Sequence, residues 1–195
     1  KKTDKDYLKN ASIIIWTTTP WTIPANKALA YNKDINYVVL DINKNKIVVA
    51  EELIQSVIEN CELGKYEVLK TFKGSEFNNT LCSQPFKNLG YEYDVPMLEA
   101  NFVTLDQGTG IVHCAPSHGP DDFNLCLKNG MKAIETVNND GVYTKNIPIF
   151  EGTHVFKADE IIIKNLKEQN NLLGSGNLIH SYPHSWRSKA PLVHR

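Results

Sequence analysis

Ser12-Ile13-Ile14-Ile15-Trp16-Thr17-Thr18-Thr19-Pro20-Trp21-Thr22 is the stretch on which the fold turns. Its apolar β-branched run reads as a buried strand over residues 12–19. Pro20 ends it, because proline cannot donate to a ladder and fixes its own φ. A core strand thus delivers three adjacent hydroxyls and two indoles to the place where the sheet stops. Threonine is also a good strand former and tryptophan a good core filler, so spacing alone leaves a purely structural account open. Successive side chains of a strand alternate faces, however, and the three hydroxyls cannot all face a core. At least one is presented to solvent or to a ligand.

Outward from this stretch, Pro20, Pro24 and Asn26 shape a loop. Residues 36–42 and 46–50 flank the polar turn Asn43-Lys44-Asn45 and read as a β-hairpin. Glu51 to Asn60 places Leu53, Ile54, Val57 and Ile58 on one helical face, with acids in the first turn. Residues 65–73 read as a strand. Gly74, Pro85, Gly90 and Pro96 punctuate the next stretch into loop with short strands. A strand is expected from Phe102 to Leu105, a turn at 106–110, and a return strand at 111–115 ending at Pro116. Gly119-Pro120-Asp121-Asp122 opens a helix that runs to Lys128, with proline and acids in its first turn. A second helix is expected at 157–170. Strands outnumber helices without regular alternation. The fold class is therefore α+β, with a largely antiparallel, barrel-like sheet and peripheral helices.

Composition excludes several classes. The 195 residues are 42% hydrophobic and 22% charged, as in ordinary globular chains. No apolar run approaches the ~20 residues that span a bilayer. Lys1–Asp6 has no signal-peptide stretch behind it, so a cytoplasmic, membrane-free, monomeric domain is expected and the sequons at Asn10 and Asn78 are discounted. The four cysteines form no CxxC pair, which argues against a zinc site or a disulfide framework. A net charge of −1 argues against a broad duplex-binding surface but leaves room for one nucleotide or a short single-stranded end. No GxGxxG, P-loop, HExxH or GxSxG pattern is present.

The strongest pairing is His113 with Asp122. A strand end, a proline-containing turn and a helix start can bring both to one cleft, where a carboxylate holds an ammonium by a charge-assisted hydrogen bond. A helix N-terminus repels a cation, so Asp122 must outweigh it. On spacing alone, Asp122 is equally an acid complementing the helix dipole and His113 a satisfied core histidine. His118, before Gly119, is expected only to cap the helix.

Trp16-Thr17-Thr18-Thr19-Pro20-Trp21-Thr22, with Asn26 after it, resembles the threonine-rich strand of the editing domain inserted into isoleucyl-tRNA synthetases. Gly108-Thr109-Gly110-Ile111-Val112-His113-Cys114-Ala115-Pro116, continuing to His118-Gly119-Pro120-Asp121-Asp122, resembles the other half of the same site. Related domains of the valyl and leucyl enzymes have TTRP, with arginine where Thr19 stands, which favours the isoleucyl type. The chain lacks the HIGH-type and KMSKS-type signatures of the synthetic domain. The resemblance implies a barrel-like core spanning residues 12–177, a leading linker at 1–11, and a connector at 178–195 returning to the rest of the synthetase.

It also implies roles. Asp122 matches the aspartate that holds the α-ammonium, and His113 the histidine that lines the side-chain pocket. Thr17, Thr18 and Thr19 match threonines that hold the terminal adenosine and position water. Trp16 and Thr22 match positions around the small side chain; Asn26 matches an asparagine near the site. The implied reaction is hydrolysis of valine from the 3′ end of isoleucine tRNA, and of valyl-adenylate in addition. It needs no metal or cofactor here, since ATP and magnesium serve the parent synthetase. The alternatives are a valyl- or leucyl-type editing domain and a non-catalytic β-barrel module that binds an RNA end through Trp16 and Trp21.

Overall fold

The structure is a computed structural model that describes residues 2–176, 184–187, 189 and 192–194. The apolar and β-branched runs form eight strands among these residues: β1 (Ala11–Ile13), β2 (Ala28–Tyr31), β3 (Asn36–Ile42), β4 (Asn45–Ala50), β5 (Glu67–Lys73), β6 (Leu81–Ser83), β7 (Asp94–Glu99) and β8 (Ile111–Cys114). Three α-helices accompany them: α1 (Ile54–Asn60), α2 (Pro120–Lys128) and α3 (Asp159–Glu168). The class is α+β, as the pattern implied. The strands do not close into a barrel. They form two four-stranded sheets, ordered β1-β4-β3-β5 and β6-β7-β2-β8. Most neighbours are antiparallel, but β1 with β4 and β2 with β7 pair in parallel.

The β3–β4 hairpin closes through Asn43 and Lys44, whose φ values of 52° and 68° match a two-residue turn that follows the twist of the strands. β3 is buried on both faces. Val39, with Val48 of β4, packs into a core shared with Leu29, Met97 and Ile111 of the second sheet. Val38 and Leu40 pack on the opposite side, under Val57 of α1. The far face of the second sheet rests on Leu125 and Cys126 of α2. A further cluster joins Trp21 and Ile23 to Tyr143, Phe150 and the Ile162 and Leu166 face of α3. Ile111 of the shared core and Trp21 and Ala115 of this last cluster line one cleft.

Several expectations are corrected. The first strand stops at Ile13, well short of Thr19. The next β4 donor, Ala50 N, bonds to the Thr109 carbonyl at 2.8 Å, and the Thr109 hydroxyl donates to the Ile14 carbonyl at 2.7 Å. Thr109 therefore takes both groups that would have continued the parallel ladder, and residues 15–19 leave the sheet. No strand forms at 102–105, where the Val103 carbonyl accepts from the Asn32 side-chain amide at 3.2 Å. The helix expected at 51–60 begins as a 3₁₀ turn over Glu51–Leu53, and the one expected at 157–170 is confined to α3. Residues 2–10, expected as a linker, are tied to the body: Leu8 is fully buried and Lys2 bridges to Leu81. The expected connector at 178–195 falls largely outside the described residues.

Candidate active site

Freed from the ladder, Trp16–Thr19 runs along one wall of a cleft of about 460 Å³. Pro20 then starts a six-residue 3₁₀ turn, Pro20–Ala25, as proline does at a helix start. The alternation argument fails in this irregular stretch, and Thr17, Thr18 and Thr19 all line the cleft. Thr17 Oγ1 accepts from the Thr19 backbone N–H at 3.0 Å, and the Thr18 and Thr19 hydroxyls lie 3.4 Å apart. Trp16 is 47% exposed at the cleft mouth. The Gln107–Gly110 turn also lines the cleft, with Gly108 beside Trp16. Gly110 has φ +73°, and a Cβ there would lie 2.4 Å from that of Ala50, so the turn passes only as glycine.

β8 carries His113 into the cleft. Thr22 Oγ1 donates to the Thr19 carbonyl at 2.9 Å and lies 2.9 Å from His113 Nε2. With its proton already committed, the hydroxyl can only accept from the ring, so His113 carries its proton on Nε2. Its Nδ1 is buried and has no partner among the described residues. Burial, with the nearby His118 ring adding to it, holds the imidazole down to about 4, neutral at physiological pH. Asp122 lies in the first turn of α2. Its Oδ2 accepts from the Ala115 backbone N–H at 2.8 Å. Burial raises the carboxyl to about 6, against the lowering effect of that bond, and Asp121 raises it further.

The cleft brings together Trp16, Thr17, Thr18, Thr19, Thr22, His113 and Asp122. It does not include Asn26, which is buried at the end of the 3₁₀ turn, with its carbonyl accepting from Tyr93 Oη at 2.8 Å. His118 is more than a helix cap. The α2 N-cap is Gly119, with no side-chain bond. His118 instead lines the cleft, with Nδ1 2.8 Å from the His194 carbonyl and Nε2 2.8 Å from Thr136 Oγ1. A carbonyl only accepts, so the proton sits on Nδ1 and Thr136 donates to Nε2. The edge of the ring meets Trp21 at 4.8 Å. With both nitrogens engaged, His118 is a strut between segments. Sequence reasoning missed this because its partners, Thr136 and His194, carry no motif. The role of Thr109 was missed because its bonds to Ile14 and Ala50 join segments far apart in sequence. No group of three or more His, Cys, Asp and Glu that could hold a metal occurs among the described residues.

The family model described as the editing domain of leucyl-tRNA synthetase matches residues 6–173. The chain belongs to this synthetase editing-domain family. It is 66% identical over its whole length to the isoleucine–tRNA ligase of Pelagibacter ubique (strain HTCC1062). It is 44% identical, over 96% of its length, to that of Gluconobacter oxydans (strain 621H). The chain spans 22% of the length of each of these relatives. The editing-domain fold recurs in the solved structure GlLeuRS-CP1, with a TM-score of 0.66 at 18% identity, covering 90% of this chain and 87% of that one. It recurs again in the P. falciparum cytosolic leucyl-tRNA synthetase editing domain, with a TM-score of 0.63 at 12% identity, covering 83% and 79%. The full-length identity to isoleucine–tRNA ligases agrees with threonine, in place of arginine, at position 19 of this editing domain.

Proposed function

We propose that this editing domain hydrolyses the ester joining a misattached valine to the 3′-terminal adenosine of isoleucine tRNA, and valyl-adenylate by the same site. The observation that carries the reading is the half-buried Asp122 carboxylate. It opens on a cleft that also holds a neutral histidine and three threonine hydroxyls. A carboxylate in that setting suits the α-ammonium of an aminoacyl ester. The hydroxyls of Thr17–Thr19 suit the ribose and the attacking water. Such an ester is already activated, so positioning supplies much of the rate and no covalent nucleophile or cofactor is required.

A hydrophobic synthetic site gains only about 1–3 kcal/mol from one methylene, a limit for which isoleucine against valine is the standard example. A second site can sort in the opposite direction, admitting valine and excluding isoleucine by bulk. The His113 ring, locked by Thr22, is the rigid wall for that exclusion. No helix among the described residues is long and apolar enough to cross a membrane.

The test compares valyl and isoleucyl esters of isoleucine tRNA with the wild-type chain, Asp122→Ala and His113→Ala. Wild type should cleave the valyl ester selectively. Asp122→Ala should slow cleavage roughly 10- to 100-fold, the worth of a charge-assisted hydrogen bond, with unchanged circular dichroism. His113→Ala should admit the isoleucyl ester. Undiminished hydrolysis by Asp122→Ala would remove the ammonium role, and binding without turnover by wild type would make this a passive RNA-end module.

A further inference from the structure

Trp21 connects the threonine segment to Thr22, and both of its backbone polar groups are held by side chains far away in sequence. The 3₁₀ turn begins at Pro20 with Thr19 as its N-cap, and Thr19 makes no side-chain cap bond. The first donors of any helix lack partners within it. Asp159 satisfies one of them: its Oδ1 accepts from Trp21 N–H at 2.9 Å, across 138 residues. On the other side of the residue, Tyr143 Oη donates to the Trp21 carbonyl. The Trp21 side chain is buried in the cluster that also holds Tyr143, Val155, Ala158 and Ile162. Neither Asp159 nor Tyr143 lines the cleft.

We propose that Asp159, supported by Tyr143, is a positioning residue for the cleft, acting as a remote N-cap that fixes the 3₁₀ turn and, through it, the Thr19–Thr22–His113 hydrogen-bond chain. The geometry leaves little slack. Thr22 follows Trp21 directly, and its hydroxyl must meet both the Thr19 carbonyl and His113 Nε2. Residues 15–19 have left the sheet, so no ladder holds the turn from the N-terminal side. Asp159 is half-buried at the start of α3, where the helix dipole favours a carboxylate. Losing this cap would let the turn shift by fractions of an ångström. That is enough to free the His113 tautomer and misplace the hydroxyls without emptying the core.

As a catalytic role this rests on the editing reading; as geometry it does not, and the experiment separates the two. Asp159→Ala, Asp159→Asn and Tyr143→Phe are compared with wild type by steady-state hydrolysis of the valyl ester. A second readout is long-range proton–nitrogen correlation of the His113 ring. Asp159→Ala should lower kcat about tenfold with KM unchanged within about twofold, tenfold corresponding to the roughly 1.4 kcal/mol of a lost cap. It should also abolish the pure Nε2–H signature of His113. Asp159→Asn keeps an acceptor oxygen and should restore both readouts. A fall in kcat that only tracks the folded fraction, or loss in both variants with the His113 signature intact, would overturn the proposal. Should Asp159→Ala fail to fold, Tyr143→Phe reads the same clamp from the carbonyl side, and unchanged kcat and His113 signature there would overturn it. Absence of hydrolysis in wild type would remove the editing reading, and the His113 signature alone would then decide the clamp.

Discussion

Thr22 decides which nitrogen of His113 carries a proton, and burial decides that there is only one. Asp122 shows the opposite sensitivity. The two side chains pull stability in opposite directions with pH. His113 is held below its ordinary value, so its contribution is complete above about 6.5 and is lost as pH falls toward 4. Asp122 is held above its ordinary value, so its contribution is complete below about 3.8 and is lost as pH rises through 6. At neutral pH the cleft therefore carries an ionised carboxylate at a cost to the fold. Asp122→Asn keeps an acceptor for Ala115 N–H and removes that charge. Its melting temperature should exceed wild type at pH 8, by roughly 2–4 °C for each kcal/mol relieved, and should match or fall below it at pH 4. Binding of a valyl-adenosine analogue should fall in the same variant. Melting curves at the two pH values check the first, and calorimetric titration the second. Equal melting at pH 8 would show that solvent already screens the carboxylate.

At the scale of elements, one threonine separates the strand that was legible from the loop that was not. The run from Ser12 to Thr19 has the composition of a single strand, and nothing local says where it stops. The stop comes from Thr109, which takes the Ala50 donor and the Ile14 acceptor. Hairpin β3–β4, α2 and α3 were legible because their signals are local: a polar turn, a proline with acids, and a helical apolar face. The pairings of β1 with β4 and β2 with β7 were not, because parallel neighbours are joined by long connections with no local code. Thr109→Val keeps the volume and the backbone bond to Ala50 but leaves the Ile14 carbonyl without its hydroxyl. The expected cost is about 1–3 kcal/mol, read from urea midpoints. Amide exchange at Ile14 and Ala50 should rise selectively, because the junction opens before the sheet does. Thr109→Ser should lie between the two. Uniform exchange across β4 in Thr109→Val would mean the hydroxyl supports the sheet generally and not the exit of the segment.

At the scale of the whole molecule, the cleft depends on the two sheets holding station against each other, and Tyr37 is where that dependence concentrates. The residue is fully buried on β3. Its ring lies 4.9 Å from Phe77 and 6.1 Å from Phe72, and Phe77 in turn lies 5.2 Å from Tyr31 on β2. Its hydroxyl donates to the Gly110 carbonyl at 2.8 Å and accepts from Asn32 N–H at 3.1 Å. One side chain thus ties the first sheet to the turn that forms a cleft wall and to the end of β2. The site motifs were legible as residues, but this coupling was not, since Tyr37 in its continuous apolar run looks like any core aromatic. Tyr37→Phe should cost about 1–3 kcal/mol, because it strands a buried carbonyl while keeping the ring. Tyr37→Ala should cost about 3–5 kcal/mol and open the shared core. Far-UV circular dichroism and tryptophan fluorescence report on different parts of the molecule, the sheets and the Trp21 cluster. Their urea transitions should coincide in wild type and in Tyr37→Phe, where packing between the sheets survives, and should separate in Tyr37→Ala. Coincident transitions in Tyr37→Ala would place the coupling elsewhere, in the aliphatic contacts of Val39 and Val48 with Leu29 and Met97.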